Sequence, residues 1–151
     1  MARVLPVALT ALLLLTPTAQ AAPDDQVTIA SVGMRGTALS ATTQGGAVTL
    51  QRRTGGPDQL WRVHLSDDGR YAQVYHDRTR SCLTAYTRDE VKVLECIGTQ
   101  SQSWIRQDRP NGSRALENAA YPGECLTARA PSQPVVVRTC VSGDDNQAWK
   151  W

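Results

Sequence analysis

Few residues in this 151-residue chain are of types that could do acid–base, nucleophilic or metal chemistry together. There are two histidines, His64 and His76, and four cysteines, Cys82, Cys96, Cys125 and Cys140. His64 falls in an alternating, strand-like stretch, and His76 sits in Tyr75-His76-Asp77-Arg78, which reads as a loop. Neither histidine stands at a spacing that Cys/His/Asp metal sites use. Adjacent carboxylates occur at Asp67-Asp68 and Asp144-Asp145. Neighbouring strand or turn residues point apart, so these pairs are poorly placed to flank a glycosidic bond as acid and base. No Gly-x-Ser-x-Gly elbow, His-Glu-x-x-His pair or phosphate-cradling glycine loop is present. The expectation is a protein that is not an enzyme and needs no metal or cofactor.

The cysteines point instead to an oxidising compartment. Residues 1–21 read as a secretory signal peptide: Arg3 is the positive start, residues 7–15 are apolar, and Ala19-Gln20-Ala21 fits a small-x-small cleavage site. The apolar run is too short to span a bilayer. Residues 22–151 then form one compact domain, expected to be secreted. Four cysteines behind such a segment read as two disulfides, for which three connectivities exist. The formal net charge of +2 suggests neither a nucleic-acid nor a polybasic membrane partner. Arg78, Arg80 and Arg88 lack the interleaved aromatics that single-stranded nucleic acid favours.

An internal repeat organises the whole domain. Gln59-Leu60-Trp61, Gln102-Ser103-Trp104 and Gln147-Ala148-Trp149 are each Gln-x-Trp, with the Trp residues 43 and 45 positions apart. Ser81-Cys82-Leu83-Thr84-Ala85 returns as Glu124-Cys125-Leu126-Thr127-Ala128. Gly69 and Gly112 each lie eight residues after a repeat Trp and thirteen before a repeat Cys. A fixed period with aligned Trp, Gly and Cys marks a repeat architecture. The repeat favours Cys82–Cys96 and Cys125–Cys140, one pair inside each of the last two units. In the first unit Ala38 and Arg53 stand at the cysteine positions, so that unit has no staple.

The elements that must position these residues are short strands. Residues 27–32, 47–53, 61–65, 71–75, 82–85, 91–94 and 135–137 alternate or run apolar, separated by Gly, Pro, Asn and Asp. Asp67-Asp68-Gly69 and Pro110-Asn111-Gly112 are hairpin turn signals. Nothing beyond the signal segment has sustained helical periodicity. The expected class is all-β, with three pseudo-symmetric repeats of about 43 residues that share one core. The last strand, ending at Trp151, is expected to close against the first, because closure removes exposed edges.

Three Gln-x-Trp repeats, with Cys-Leu-x-x opening a unit and a second Cys before the loop to the next Gln-x-Trp, resemble the ricin B-type lectins. The resemblance covers residues 27–151. It implies the β-trefoil fold, a six-stranded barrel capped by three hairpins, with Trp61, Trp104 and Trp149 in the core and the repeat glutamines supporting adjacent loops. It also implies carbohydrate binding, often of galactose-type sugars, at up to one shallow site per repeat. Such a site uses a carboxylate and an Asn amide for sugar hydroxyls and an aromatic ring for the sugar's apolar face.

The chain departs from that pattern. The family carboxylate lies two residues after the first Cys, where this chain has Thr84, Thr127 and, in repeat one, Ser40. The family aromatic position holds Leu94, Arg138 and Gln51. The Asn before Gln-x-Trp survives only as Asn146, with Asp58 and Ser101 in its place elsewhere. Repeat three comes nearest to a full set, so Thr127, Asn146 and Gln147 are the candidate ligand-binding residues. The resulting expectation is a secreted, monomeric, non-catalytic carbohydrate-binding (lectin-like) protein with degenerate sugar sites. The alternative is a protein-interaction β-trefoil, such as a protease inhibitor or the binding subunit of a secreted toxin or enzyme complex.

Overall fold

A computed structural model describes residues 25–151; the expected signal peptide lies outside the described residues. Twelve short strands are present among them: β1 Ala30–Ser31, β2 Thr37–Ser40, β3 Thr49–Arg52, β4 Trp61–Leu65, β5 Tyr71–His76, β6 Ser81–Ala85, β7 Val91–Leu94, β8 Trp104–Asp108, β9 Arg114–Asn118, β10 Glu124–Thr127, β11 Val136–Thr139 and β12 Trp149–Lys150. A single 3-10 turn precedes each repeat Trp, at Pro57–Gln59, Gln100–Gln102 and Asp145–Gln147. The strands form where the sequence alternates. Along β5 every second residue, Ala72, Val74 and His76, is buried. Gly69 and Gly112 turn the β4–β5 and β8–β9 hairpins with φ of 68° and 74°, a backbone region that glycine enters without steric cost.

Six strands close into a ring. β4 pairs with β5, β5 with β8, β8 with β9, β9 with β12, and β12 with β1, all antiparallel. A bridge between Val27 and Trp61, with N···O distances of 2.8 and 2.9 Å, joins the first segment to β4 and completes the circuit. The expected closure of last strand on first is present as Ala30 opposite Lys150 and Ser31 opposite Trp149. The hairpins β2–β3, β6–β7 and β10–β11 cap one end of the ring. They also lock to one another: Val48 N donates to Val91 O at 2.9 Å, and Val135 N donates to Val48 O at 3.0 Å. This is a β-trefoil.

The core repeats in threes. Leu39, Leu83 and Leu126 are equivalent, as are Val48, Val91 and Val135, then Leu50, Val93 and Val137, and finally Ile29, Val74 and Leu116; all are fully buried. Trp61, Trp104 and Trp149 are also fully buried, and each indole is among the largest apolar surfaces a side chain can bring to a core. One repeat alone has nothing to cover its apolar face; three cover each other.

Both disulfides fall within a repeat, Cys82–Cys96 and Cys125–Cys140, at sequence separations of 14 and 15. Loops of that length lower unfolded-chain entropy by an amount equivalent to roughly 3 kcal/mol each. His76 differs from its expected place in a loop. It ends β5, opposite Trp61, with no exposed surface and its ring centroid 4.4 Å from that of Trp61. The strand runs one residue further than the pattern suggested because the imidazole fills the space beside the indole.

Candidate functional site

The Gln-x-Trp motif makes the same construction three times. Each indole Nε1–H donates to the carbonyl of the leucine in that repeat's hairpin: Trp61 to Leu39 O, Trp104 to Leu83 O and Trp149 to Leu126 O, at 3.1, 3.0 and 3.1 Å. Each glutamine amide ties down the loop in front of it. Gln59 Oε1 accepts from the N–H groups of Thr54 and Gly55, while its Nε2 donates to Arg52 O. Gln102 does the same with Ile97, Gly98 and Glu95 O. Gln147 accepts from Val141 N and donates to Thr139 O. A buried amide left unpaired is costly, so burying these three glutamines fixes the three loops.

The residue before each glutamine has its carbonyl held as well. Asn118 Nδ2 donates to Ser101 O at 3.0 Å, and the backbone N–H of Ala128 donates to Asn146 O at 2.8 Å. In repeat one, His76 Nε2 reaches Asp58 O at 3.1 Å, and His76 Nδ1 lies 2.9 Å from Thr79 Oγ1. A carbonyl only accepts, so Nε2 carries the proton and Nδ1 accepts from the threonine hydroxyl. Burial holds the imidazole's pKa below its ordinary 6.5; the Asp58 carbonyl and the Asp58 and Asp77 charges oppose that shift without overcoming it.

The expected ligand residues Thr127, Asn146 and Gln147 do come together at the repeat-three loop. Gln147 is 1% exposed, and its Nε2 lies 3.2 Å from Thr127 Oγ1. The Thr127 hydroxyl donates to Cys125 O at 2.8 Å. Thr84 and Gln102 repeat that arrangement in repeat two, at 2.9 and 3.2 Å. A threonine here closes a bond inside the protein, and one oxygen lone pair remains. Asn146 N–H is capped by Asp144 Oδ1, and Asn146 Oδ1 lies against Gly33, so close that a Cβ there would be 2.5 Å away. Arg138, at the family's aromatic position, sends its guanidinium to Arg88 O and Asp89 Oδ1, at 3.0 and 2.6 Å, across to the neighbouring repeat.

Open clefts lie in the other two repeats. Repeat one has an open cleft of about 590 Å³ with Ser40, Gln51, Arg52 and Asp58 in its walls and no aromatic side chain. The Asp58 carboxylate there is paired with Arg78. Repeat two has a cleft of about 440 Å³ lined by Tyr86, Tyr121, Glu95, Thr99, Ser101 and Ile97, among others. Tyr86 is 55% exposed, and Lys92 Nζ sits 4.4 Å from its ring centroid. Thr99 and Ser101 hydroxyls are 2.9 Å apart, and Glu95 is exposed.

Sequence reasoning found no aromatic platform because it looked only at the family position. Tyr86 stands four residues after Cys82, where repeat three has Arg129, and Tyr121 arrives from the next repeat. The available signal was a tyrosine in one repeat only, at a fixed distance from the repeat cysteine. Among the described residues no group of three or more His, Cys, Asp or Glu is placed to hold a metal ion. No helix among them is long and apolar enough to cross a membrane.

Fold and motif together define a β-trefoil of three Gln-x-Trp units whose loops carry shallow surface clefts. The chain belongs to the family described as the Ricin-type beta-trefoil lectin domain, whose profile matches residues 25–149. No curated protein sequence matches it significantly. Among solved structures it is similar to the Rhizoctonia solani agglutinin, at 21% identity and a TM-score of 0.67, covering 88% of this chain and 97% of that one. It is similar to ThreeFoil, a designed threefold-symmetric protein, at 22% identity and a TM-score of 0.71, covering 82% and 94%. A mosquitocidal holotoxin is similar at 17% identity and a TM-score of 0.74 over 86% of this chain, which spans only 17% of the toxin chain. At these identities the likeness is one of fold. The chain has a carbohydrate-binding fold.

Proposed function

We propose that this protein is a secreted, non-catalytic, lectin-like module that binds a glycan chiefly through the cleft of repeat two. The observation that carries this reading is the exposed Tyr86 ring, with Tyr121 beside it and the Glu95 carboxylate and the Thr99 and Ser101 hydroxyls in the same cleft. A sugar presents an apolar C–H face to an aromatic ring and hydroxyls to a carboxylate, and this cleft offers both kinds of partner. Galactose-type sugars, whose axial hydroxyl leaves one face more apolar, are the first class to examine. The family supports a glycan as partner. Two disulfides support an extracellular setting.

The test is a glycan array of the oxidised protein, followed by titration of Tyr86→Ala and Glu95→Gln. Losing the ring contact is expected to weaken binding about tenfold, the equivalent of roughly 1.4 kcal/mol. Affinity unchanged in Tyr86→Ala rules the cleft out. One observation favours a second reading, a protein partner: Ile97, 68% exposed, extends the tyrosine surface with an aliphatic rim. A stoichiometric protein complex that free sugars leave undisturbed would select it.

A further inference from the structure

Repeat one lacks its disulfide, and the structure shows what stands there instead. Arg53 takes the position of Cys96 and Cys140. Its N–H donates to Gly36 O at 2.8 Å, as Cys140 N donates to Gly123 O at 2.8 Å. Its side chain is exposed and lines two clefts, of about 470 and 420 Å³, that share Ala30, Arg53 and Lys150 and so form one groove. Arg35 lies at one end of it, and Asn111 and Trp151 at the other.

Three cations therefore line one groove, and no Asp or Glu is among its lining residues. Arg35, Arg53 and Lys150 make no ion pair among the described residues. The pseudo-symmetric position shows what neutralisation looks like: Arg62 follows Trp61 as Lys150 follows Trp149, and Arg62 Nε is paired with Asp77 at 2.9 Å. The residue equivalent to Asp77 beside Lys150 is Val32, which has no charge to offer. The backbone oxygen of Trp151 accepts from Arg114 Nη1 at 2.9 Å, and the same guanidinium lies 4.5 Å from the Trp151 ring centroid, so that oxygen and one face of the indole already have a cation partner. Asn111 spends its Oδ1 on Ser113 N and Oγ, at 3.0 and 2.6 Å, which leaves its amide N–H₂ as a further donor. The groove thus offers donors and positive charge, with the Trp151 indole along one wall.

We propose that this groove is a second glycan site, selective for a sulfated saccharide. A sulfate ester supplies three acceptor oxygens and a fixed negative charge, which arginine forks and a lysine recognise, and the Trp151 indole, with Arg114 over one face, borders the groove beside them. Uncompensated surface cations also accelerate encounter with a polyanion. This inference rests on the glycan-binding reading of the domain, but its site lies on different residues from the tyrosine cleft.

The test is isothermal titration of the oxidised protein with a fully sulfated uronate–glucosamine hexasaccharide, at low and at ~0.3 M salt, a range over which screening of surface charges rises steeply. The desulfated hexasaccharide, which keeps its carboxylates, runs as control. Saturable binding of the sulfated form is expected, weakening at least tenfold in high salt and at least tenfold in Arg53→Ser/Lys150→Ala, while Lys150→Arg binds like the parent. Tyr86→Ala is expected to leave it unchanged. No saturable binding overturns the site, as does equal affinity of the desulfated sugar or an undiminished double variant. A melting curve checks that the double variant is folded; if it is not, loss of binding in Lys150→Glu alone carries the decision. Intact sulfate binding with a blank neutral-glycan array defeats the tyrosine-cleft reading only. The converse result defeats this one only.

Discussion

Replacing a repeat glutamine by leucine should separate what the amide does from what the disulfide does. Gln102→Leu keeps most of the side-chain volume and removes bonds to Ile97 N, Gly98 N, Glu95 O and Thr84 Oγ1, at 2.9, 3.2, 2.6 and 3.2 Å. Gln59→Leu removes bonds to Thr54 N, Gly55 N, Arg52 O and Thr54 Oγ1, at 2.8, 3.1, 2.8 and 3.4 Å. At about 1 kcal/mol net per bond, each variant should lose roughly 4 kcal/mol, less about 1 kcal/mol returned by the added apolar burial. For a domain of this size that corresponds to a melting temperature lower by roughly 9–15 °C. Equilibrium urea unfolding gives the free energy directly. The two losses should be alike, but the local consequences should differ. In Gln102→Leu, Cys96 still anchors the loop next to Glu95. Repeat one has no such anchor, so the Thr54 and Gly55 amides should exchange with solvent faster in Gln59→Leu than Ile97 and Gly98 do in Gln102→Leu. A loss below about 1 kcal/mol in both variants would show that water replaces the amide fully and that the glutamines do not hold the loops. Equal exchange in the two loops would show that the disulfide has no part in holding the loop.

Two further outcomes follow from buried contacts. The unfolded chain takes up a proton on His76 near pH 6.5, whereas the folded protein resists it to lower pH because the ring is buried. Its contribution is therefore complete above pH 6.5 and is lost as the pH falls below that value. His76→Asn, which copies Asn118 of repeat two, should keep the bond to the Asp58 carbonyl and flatten the urea-midpoint profile between pH 7 and about 5. Parallel profiles for the two proteins would show that His76 does not set the pH dependence. In Gly33→Ala the new Cβ would lie 2.5 Å from Asn146 Oδ1 and 2.9 Å from Asn146 N and Asp145 C. Two of these are backbone atoms that cannot swing away, so a loss of roughly 1–3 kcal/mol is expected, read by thermal melt. An unchanged melt would mean that the turn before β12 gives way freely.

Much of the fold was legible because it is periodic. Trp61, Trp104 and Trp149, the paired leucines and the cysteines recur at matching distances, and the structure stacks each set around one axis. The glutamine role implied by the family resemblance is present three times over. The site was less legible. Thr127 and Gln147 were read as ligand residues from their place in the family pattern, and the structure shows their polar groups bonded to each other. That bond joins residues on β10 and on a turn twenty positions later, and residue type alone does not reveal which way a hydroxyl is committed.

Spacing along the chain was enough for the all-β class, its three units and the favoured pairing of the cysteines, while the β-trefoil and the burial of Trp61, Trp104 and Trp149 were implied by the family resemblance. Such spacing becomes symmetry in space when every unit needs its neighbours for a core. Which surfaces are available is settled only by the folded arrangement. Tyr86 and Tyr121 share a cleft because adjacent repeats pack side by side. Arg138 is drawn toward Asp89 because hairpins of different repeats interlock. Arg53 and Lys150 face one groove because the closed ring sets β12 against β1. A core position is fixed by the burial it must achieve in every unit, so its pattern repeats. A surface position is free to differ between units, and its neighbours come from whichever segments the closed ring happens to bring alongside.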